Sequence, residues 1–318
     1  MHPFGQESPN TGMAGEEEIL RLIQKHLDDT SPPPPQGIGD DCATWMPPAG
    51  ETVLLTTDPV IFGRHFDASH EPEHVGAKLL KRNLSDIAAM GGHPGPAILA
   101  LAMGPDVQLE WLTRFIDGLA TTCTTYNIPL AGGDIASSEP GIFIATLSQT
   151  GSAPNPVSRV GALDGSSILV TGALGGSLMG HHLHFEPRLP EGQWLAIQEE
   201  VLSMTDISDG LAKDLHGLLP AGMQAILDIE NLPVDEAVQA TGANAIAQAL
   251  CDGEDYELLF SLDPQTDLNA FLEAWPFDTN LCPIGSVFRG EPAGILVDKN
   301  TGTRIQYGNG YEHFKTTD

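Results

Sequence analysis

Five short acidic segments carry the residue types best suited to chemistry: GIGDDC (37–42), TTD (56–58), NLSD (83–86), GGD (132–134) and DISDG (206–210). Most end an apolar run beside Gly, Ser or Thr, where a strand or helix gives way to a loop. An Asp there can aim its carboxylate into a cleft, and the Gly lets a ligand or backbone come close. Hard cations such as Mg²⁺ take oxygen ligands, usually one or two carboxylates with waters and ligand phosphates. Taken alone, each segment is ordinary turn and cap chemistry. Five in one chain, two with paired aspartates, favour a shared cluster, and carboxylates gathered in a low-dielectric cleft require cations.

A glycine-rich stretch, SILVTGALGGSLMG (167–180), is the second candidate. Its glycines can offer backbone N–H groups to a phosphate or admit a flat ring, or they can simply form a flexible loop. It matches neither the P-loop nor the dinucleotide fingerprint. His181, His182 and His184 follow and point in different directions on a helix or a strand, which favours a solvated loop over a metal site. No Ser-His-Asp or Cys-His constellation is supported by spacing, although such triads need not be local.

Periodic segments flank these motifs. Helical spacing marks residues 16–27, 75–90, 109–126, 191–204, 209–219 and 267–275, and apolar runs suggest strands at 52–57, 97–103, 142–148, 167–171, 225–229, 256–262 and 295–297. Residues 1–15 read as a loose tail and the SPPPP run (31–35) as a stiff connector. Composition shifts to Gly, Pro, Ser and Asn at 151–165, which divides the chain into domains 1–150 and 151–318. Strands and helices mix without strict alternation, so the expected class is α+β.

With 318 residues, the chain can bury its own core. Its 14 Lys and Arg against 43 Asp and Glu leave a formal net charge of −29, which repels nucleic acid and anionic membrane. Any phosphate ligand should arrive with cations or meet local Arg, Lys and N–H groups. Four scattered cysteines form no zinc pattern and fit a reducing compartment, here the cytoplasm. No signal peptide or membrane span is expected.

Taken in order, GIGDDCA (37–43), TTD…GRHF (56–66), NLSDIAAMGG (83–92), AGGDI (131–135), SRVGA (158–162), VTGALGGS (170–177), DISDGLAKDL (206–215), DGEDYELLF (252–260) and GNGYEHF (308–314) resemble thiamine-monophosphate kinase. The related aminoimidazole ribonucleotide synthetase and selenophosphate synthetase families lack the GEDYEL and GYEHF pieces. The resemblance implies a two-domain fold like aminoimidazole ribonucleotide synthetase. The N-terminal domain of sheet plus helices would bind ATP and Mg²⁺ and dimerise. A C-terminal α/β sandwich would complete the nucleotide and substrate site. It implies transfer of the γ-phosphoryl of ATP to the phosphate of thiamine monophosphate, in a homodimer. Residue by residue, Asp41, Thr56, Thr57, Asp58, Asp86, Asp134, Asp206 and Asp209 would ligate Mg²⁺. Gly133, Asp134, Arg159 and Ser208 would contact ATP, and His65, Glu254 and Tyr311 the thiamine substrate. Asp58, Asp86 and Arg159 would carry the transfer.

The chemistry is coherent. A phosphate monoester, with its second pKa near about 6, is already a nucleophile at neutral pH and needs no general base. Bringing two polyanions in line is the barrier, which cations and an Arg clamp lower. Tyr311 could stack on the cationic ring for roughly 0.5–2 kcal/mol. Three departures from the family stand out: HFEPRL (184–189) follows Ser177 after a short segment, Asp252 replaces a Gly, and Pro59 should stiffen the loop after Asp58. These keep two alternatives open, a related ATP-dependent enzyme with another acceptor and a non-catalytic binder of nucleotide or thiamine phosphates.

Overall fold

The computed structural model describes residues 1–5, 9–27, 30–33, 36–38, 42–240, 245–290, 294 and 296–305, without the side chains of residues 178 and 240. Two compact units emerge: unit 1 is Met1–Ile87 with His93–Pro154, and unit 2 is Ala88–Gly92 with Asn155–Asp318. No helix among the described residues is long and apolar enough to cross a membrane. Asp41 and Tyr311, with parts of the GIGDDC and SPPPP segments and the whole of GNGYEHF, lie outside the described residues.

Unit 1 is a four-stranded sheet of β1 (Thr52–Ile61), β2 (His93–Met103), β3 (Leu130–Ser137) and β4 (Phe143–Ala153), in spatial order β1-β4-β2-β3. β2 and β3 are parallel and are joined through the helix Leu109–Tyr126, as a crossover requires; the other pairs are antiparallel. One sheet face is covered. Trp111 and Phe115 of that helix stack on each other and meet Phe143 of β4 edge-on at 4.7 and 5.2 Å between centroids. The helix Pro72–Ala89 crosses its neighbour at Gly76 and Gly118, where an added Cβ would lie 2.0 Å from a backbone oxygen of the opposite helix. The other sheet face is open: Val53, Leu55 and Ile98 are exposed there. A cavity of about 650 Å³ on it is lined by Trp45, Leu55, Thr57, Ile98, Ser148 and Thr150 among others.

Unit 2 is a six-stranded sheet of β5 (Ser167–Thr171), β6 (Val201–Asp206), β7 (Met223–Leu227), β8 (Leu258–Leu262), β9 (Leu281–Arg289) and β10 (Leu296–Asp298), in order β10-β7-β9-β5-β8-β6. Ile168, Val170, Leu211, Leu215, Leu259, Ile284 and Val287 anchor its core. The mixture of helices and sheets is the α+β class read from the sequence.

Several elements differ from the sequence reading. Residues 191–204 are not one helix: the helix Leu189–Ala196 stops, Ile197 is exposed, and β6 begins at Val201 because it pairs antiparallel with β8. Side-chain spacing cannot register that long-range pairing. The first residues are not a loose tail. Phe4 and Asn10 bridge to Val107 and Gln108, and the Asn10 side chain caps a short helix, Thr11–Ala14, by accepting from Met13 N at 3.1 Å. β3 and β9 were not expected at all. Pro59 lies inside β1 rather than in a loop, on an edge strand where its missing N–H leaves no gap in the ladder.

Candidate active site

In unit 1, β1 alternates. Leu54 and Val60 are buried toward the helices, so Thr56 and Asp58 share their face, while Thr57 points to the open face. Thr57 accordingly sits 3.1 Å, oxygen to oxygen, from the Ser148 hydroxyl on β4. Facing Thr56 and Asp58 is the helix Pro72–Ala89, whose Arg82 and Asp86 are one helical turn apart on one side. Thr56 Oγ1 donates to Asp86 Oδ2, and Arg82 Nη2 donates to Asp58 Oδ1 at 3.0 Å. Two strand residues and two helix residues thus form an acidic seam with one cation in it.

Asp134 is placed elsewhere. Register runs across the sheet from Asp58 to Leu147, from Leu147 to Leu99 and from Leu99 to Gly133. Asp134, next along, opposes exposed Ala100 and so lies on the open face. It sits on the far edge strand, three strand spacings or about 14 Å from Asp58. Gly133 is required where it stands, because a Cβ would fall 1.9 Å from the Leu99 carbonyl oxygen. His65 is inside unit 1: its Nδ1 accepts from Ile61 N–H at 3.1 Å, and fully buried Lys78 donates to its carbonyl at 3.0 Å.

In unit 2, two motifs distant in sequence become one platform. Ile207 N donates to the Glu257 carbonyl, Tyr256 N to that of Ile207 and Glu254 N to that of Ser208, each at 2.8 Å. DISDG and DGEDYE therefore lie side by side, continuing the β6–β8 pairing. Gly210 has φ +110 and Gly253 has no room for a Cβ, which would meet the Ser208 carbonyl at 2.6 Å. More telling, Glu254 (φ 67) and Tyr256 (φ 53) are left-handed without being glycine. Such strain persists only where the surroundings enforce it, and it gathers at functional sites.

The platform is rich in carboxylates. Asp214 accepts from the Ser208 and Asp209 N–H groups at 3.0 and 2.9 Å, which shapes the DISDG loop. Burial, reinforced by the charge of Asp206, pushes its carboxyl up to about 7, against an opposing pull from Arg159. Arg159 is brought to this place by Ser158, whose carbonyl accepts from Met204 N on β6 at 3.0 Å. Asp209 pairs with Lys213 at 2.7 Å. Asp255, 1% exposed, accepts from Gly175 N at 3.1 Å, and burial holds its carboxyl well above the usual range, with Glu257, Asp252 and Asp235 adding to the effect. Glu257 is gripped by both arms of Arg188 and by the Thr171 hydroxyl at 2.6 Å. Glu254 is met by Tyr256 Oη at 3.3 Å and by His182 Nδ1 at 3.5 Å.

Two sequence readings change here. The glycine-rich stretch is neither a flexible loop nor a free phosphate cradle. The N–H groups of Gly172, Leu174 and Gly175 are taken by Asn280, Pro233 and Asp255, and a Cβ on Gly172 would strike the Glu257 carboxylate at 2.0 Å. The histidine triplet is not a solvated loop either. It forms a short helix, His181–His184, and His182 is buried. Arg82, Asp214, Asp255 and His182 were not singled out from the sequence as parts of these sites. Asp214 had a signal there as the third acidic position of DISDGLAKD, Asp255 as part of DGEDYE and His182 as part of the histidine triplet.

Among the described residues, no group of three or more His, Cys, Asp or Glu side chains is placed to hold a metal ion. The seam of Thr56, Asp58 and Asp86 nonetheless offers only oxygen donors and two carboxylates, which is the complement Mg²⁺ takes before water and phosphate fill the rest. The donor set fits that cation.

Comparison with known proteins follows the two-unit division. Residues 39–153 match the family AIR synthase related protein, N-terminal domain, and residues 164–297 its C-terminal domain. The thiamine-monophosphate kinase of Rhodopirellula baltica is 33% identical over 79% of this chain and 83% of its own length, and that of Aquifex aeolicus is 32% identical over 94% and 98%. A solved structure, AaThiL complexed with AMPPCP and TMP, superposes with a TM-score of 0.72 at 29% identity, covering 97% of this chain and all of that one. The chain belongs to the thiamine-monophosphate kinase family, assembled from the two AIR synthase related domains.

Proposed function

We propose that this chain is a Mg²⁺-dependent kinase that transfers the γ-phosphoryl of ATP directly, in line, to the phosphate of thiamine monophosphate, giving thiamine diphosphate and ADP. The observation that carries this reading is its likeness to thiamine-monophosphate kinases over nearly the full chain, with the acidic motifs in family order. AMPPCP and TMP, bound by a relative whose fold matches over its full length, are the chemistry expected of ATP and thiamine monophosphate here.

In unit 1, Asp58 and Asp86 hold one cation, with Thr56 beside them; Thr57, on the open face, and Asp41 are ligands of a further cation. When bound, Mg²⁺ neutralises phosphate oxygens so that two polyanions can approach. In unit 2, Asp206 and Asp209 add carboxylates, Ser208 and Arg159 contact ATP, and Arg159 clamps phosphate with its planar fork. Glu254, His65 and Tyr311 are the residues that the family resemblance assigns to the thiamine half. The strained φ at Glu254 and Tyr256 supports a binding role for that platform. The substrate phosphate supplies its own ionised nucleophile, so no side chain need take a proton.

Gly133 lets the strand backbone serve ATP, and Asp134 beside it, on the open sheet face, serves ATP and cation from that face. Two copies joining there would cover Val53, Leu55 and Ile98, which supports a homodimer. Four free cysteines suit the cytoplasm. The test is a coupled assay of ADP release. It should require both thiamine monophosphate and Mg²⁺; ADP release indifferent to thiamine monophosphate overturns the assignment.

A further inference from the structure

The acidic seam of unit 1 already contains a cation belonging to the protein. Arg82 Nη2 donates to Asp58 Oδ1 at 3.0 Å, and its Nη1 donates to the carbonyl of Pro59, so one guanidinium spans a side chain and the backbone next to it. The pair is largely inside, with side-chain exposures of 11% for Arg82 and 25% for Asp58. One turn further along the helix, Asp86 is held by the Thr56 hydroxyl.

We propose that Arg82 is a built-in counter-ion of Asp58 that competes with a divalent ion for Oδ1 and has to leave that oxygen before it can ligate the ion. The inference rests on the reading of Asp58 as a cation ligand. Three physical points carry it. Guanidinium stays charged at any pH the protein meets, so it cannot be silenced by losing a proton and can only move. A dication and a guanidinium on one carboxylate oxygen repel each other in a partly desolvated seam, where Coulomb terms exceed those in water. Arg82 sets a positive charge between two partly desolvated carboxylates of neighbouring elements, so the pair stabilises the seam. Arg82 therefore sets a threshold for cation uptake while keeping strand and helix in register until the cation arrives.

The experiment is direct titration of the full-length protein with Mn²⁺, followed by calorimetry or by electron paramagnetic resonance of free Mn²⁺, without nucleotide. Thermal midpoints are measured alongside, in EDTA and with Mn²⁺. Arg82→Gln should bind Mn²⁺ about tenfold more tightly than the wild type, the effect of removing one neighbouring charge. It should also melt lower in EDTA and gain more from Mn²⁺. Arg82→Lys, which cannot span Asp58 and Pro59 at once, should bind more tightly than wild type by a smaller factor, and it serves if the Gln variant does not fold. Affinity in both variants equal to or below wild type, with binding lost in Asp58→Asn, overturns the counter-ion role alone. Unchanged binding in Asp58→Asn removes Asp58 as a ligand and the inference with it.

Discussion

The two acidic regions handle charge by different means. In unit 1 the carboxylates sit on a strand and a helix, partly open to water, and an arginine and a threonine from the same two elements hold them. In unit 2 the carboxylates sit on joined loops and on the helix Leu211–Leu218, deeper inside, and burial pushes Asp214, Asp252 and Asp255 toward the neutral form. Glu257 there is clasped by Arg188. Regular elements make the first arrangement easy to build and to exchange. The second needs left-handed residues and glycines without room for a Cβ, so it is rigid and dedicated. An exchangeable seam suits an ion that comes and goes, and a fixed platform suits an organic ligand whose shape must be read.

If that contrast holds, the largest effects fall on the seam's chemistry and not on its stability. Asp58→Asn and Asp86→Asn should each lower turnover by about 10³-fold or more, the size expected when a group that neutralises transition-state charge is lost. Their circular dichroism should be that of the wild type. Near-normal ADP release in both removes the seam from the reaction. Next in size is a stability effect in unit 2. Arg188→Ala leaves Glu257, 2% exposed, with an uncompensated charge, and should cost about 3–5 kcal/mol in urea unfolding. Arg82→Gln in the more open seam should cost less than about 2 kcal/mol. Equal losses would erase the distinction between the two regions.

A pH titration separates them further. The folded value of Asp214, about 7, lies above its ordinary 3.8, so the folded protein holds this proton more tightly than the unfolded chain does. Its contribution to stability is complete below the unfolded value and is lost as pH rises through the folded one. In EDTA, the urea midpoint should therefore decline between about pH 5 and pH 8, and Asp214→Asn should flatten that decline. A wild-type midpoint that rises over the same window contradicts a buried, proton-holding Asp214.

Legibility in the sequence follows the same division. The helices Glu16–Leu27 and Leu109–Tyr126 and the strand Ser167–Thr171 have the bounds their apolar spacing suggests, because local pattern and tertiary fate agree. β3 hid because its Ala-Gly-Gly-Asp stretch looks like a turn and becomes a strand only by pairing with β2. β6 reads as helix from its sequence because nothing local announces β8 as its partner. The acidic motifs were visible as residue types, but faces were not: Asp134 shares a motif pattern with Asp58 and lies on the other side of the sheet. Arg82 is indistinguishable from Lys81 until the helix is docked on β1. Asp214 gains its meaning only from burial.

The smallest effect tests the contrast most directly, because it asks for opposite signs from one pair of substitutions. Glu254 has φ 67, where a Cβ is strained by roughly 1–2 kcal/mol and glycine is not. Glu254→Gly should thus be about 1 kcal/mol more stable than Glu254→Ala, although both remove the carboxylate and both should raise the KM for thiamine monophosphate alike. Asp86 lies in a helix, where the preference is reversed, so Asp86→Ala should be more stable than Asp86→Gly by about 1 kcal/mol. Chemical denaturation of the four variants reads both differences. If Gly and Ala rank the same way at both sites, the platform of unit 2 is not a strained loop, and the inference from its backbone to a dedicated binding role is lost.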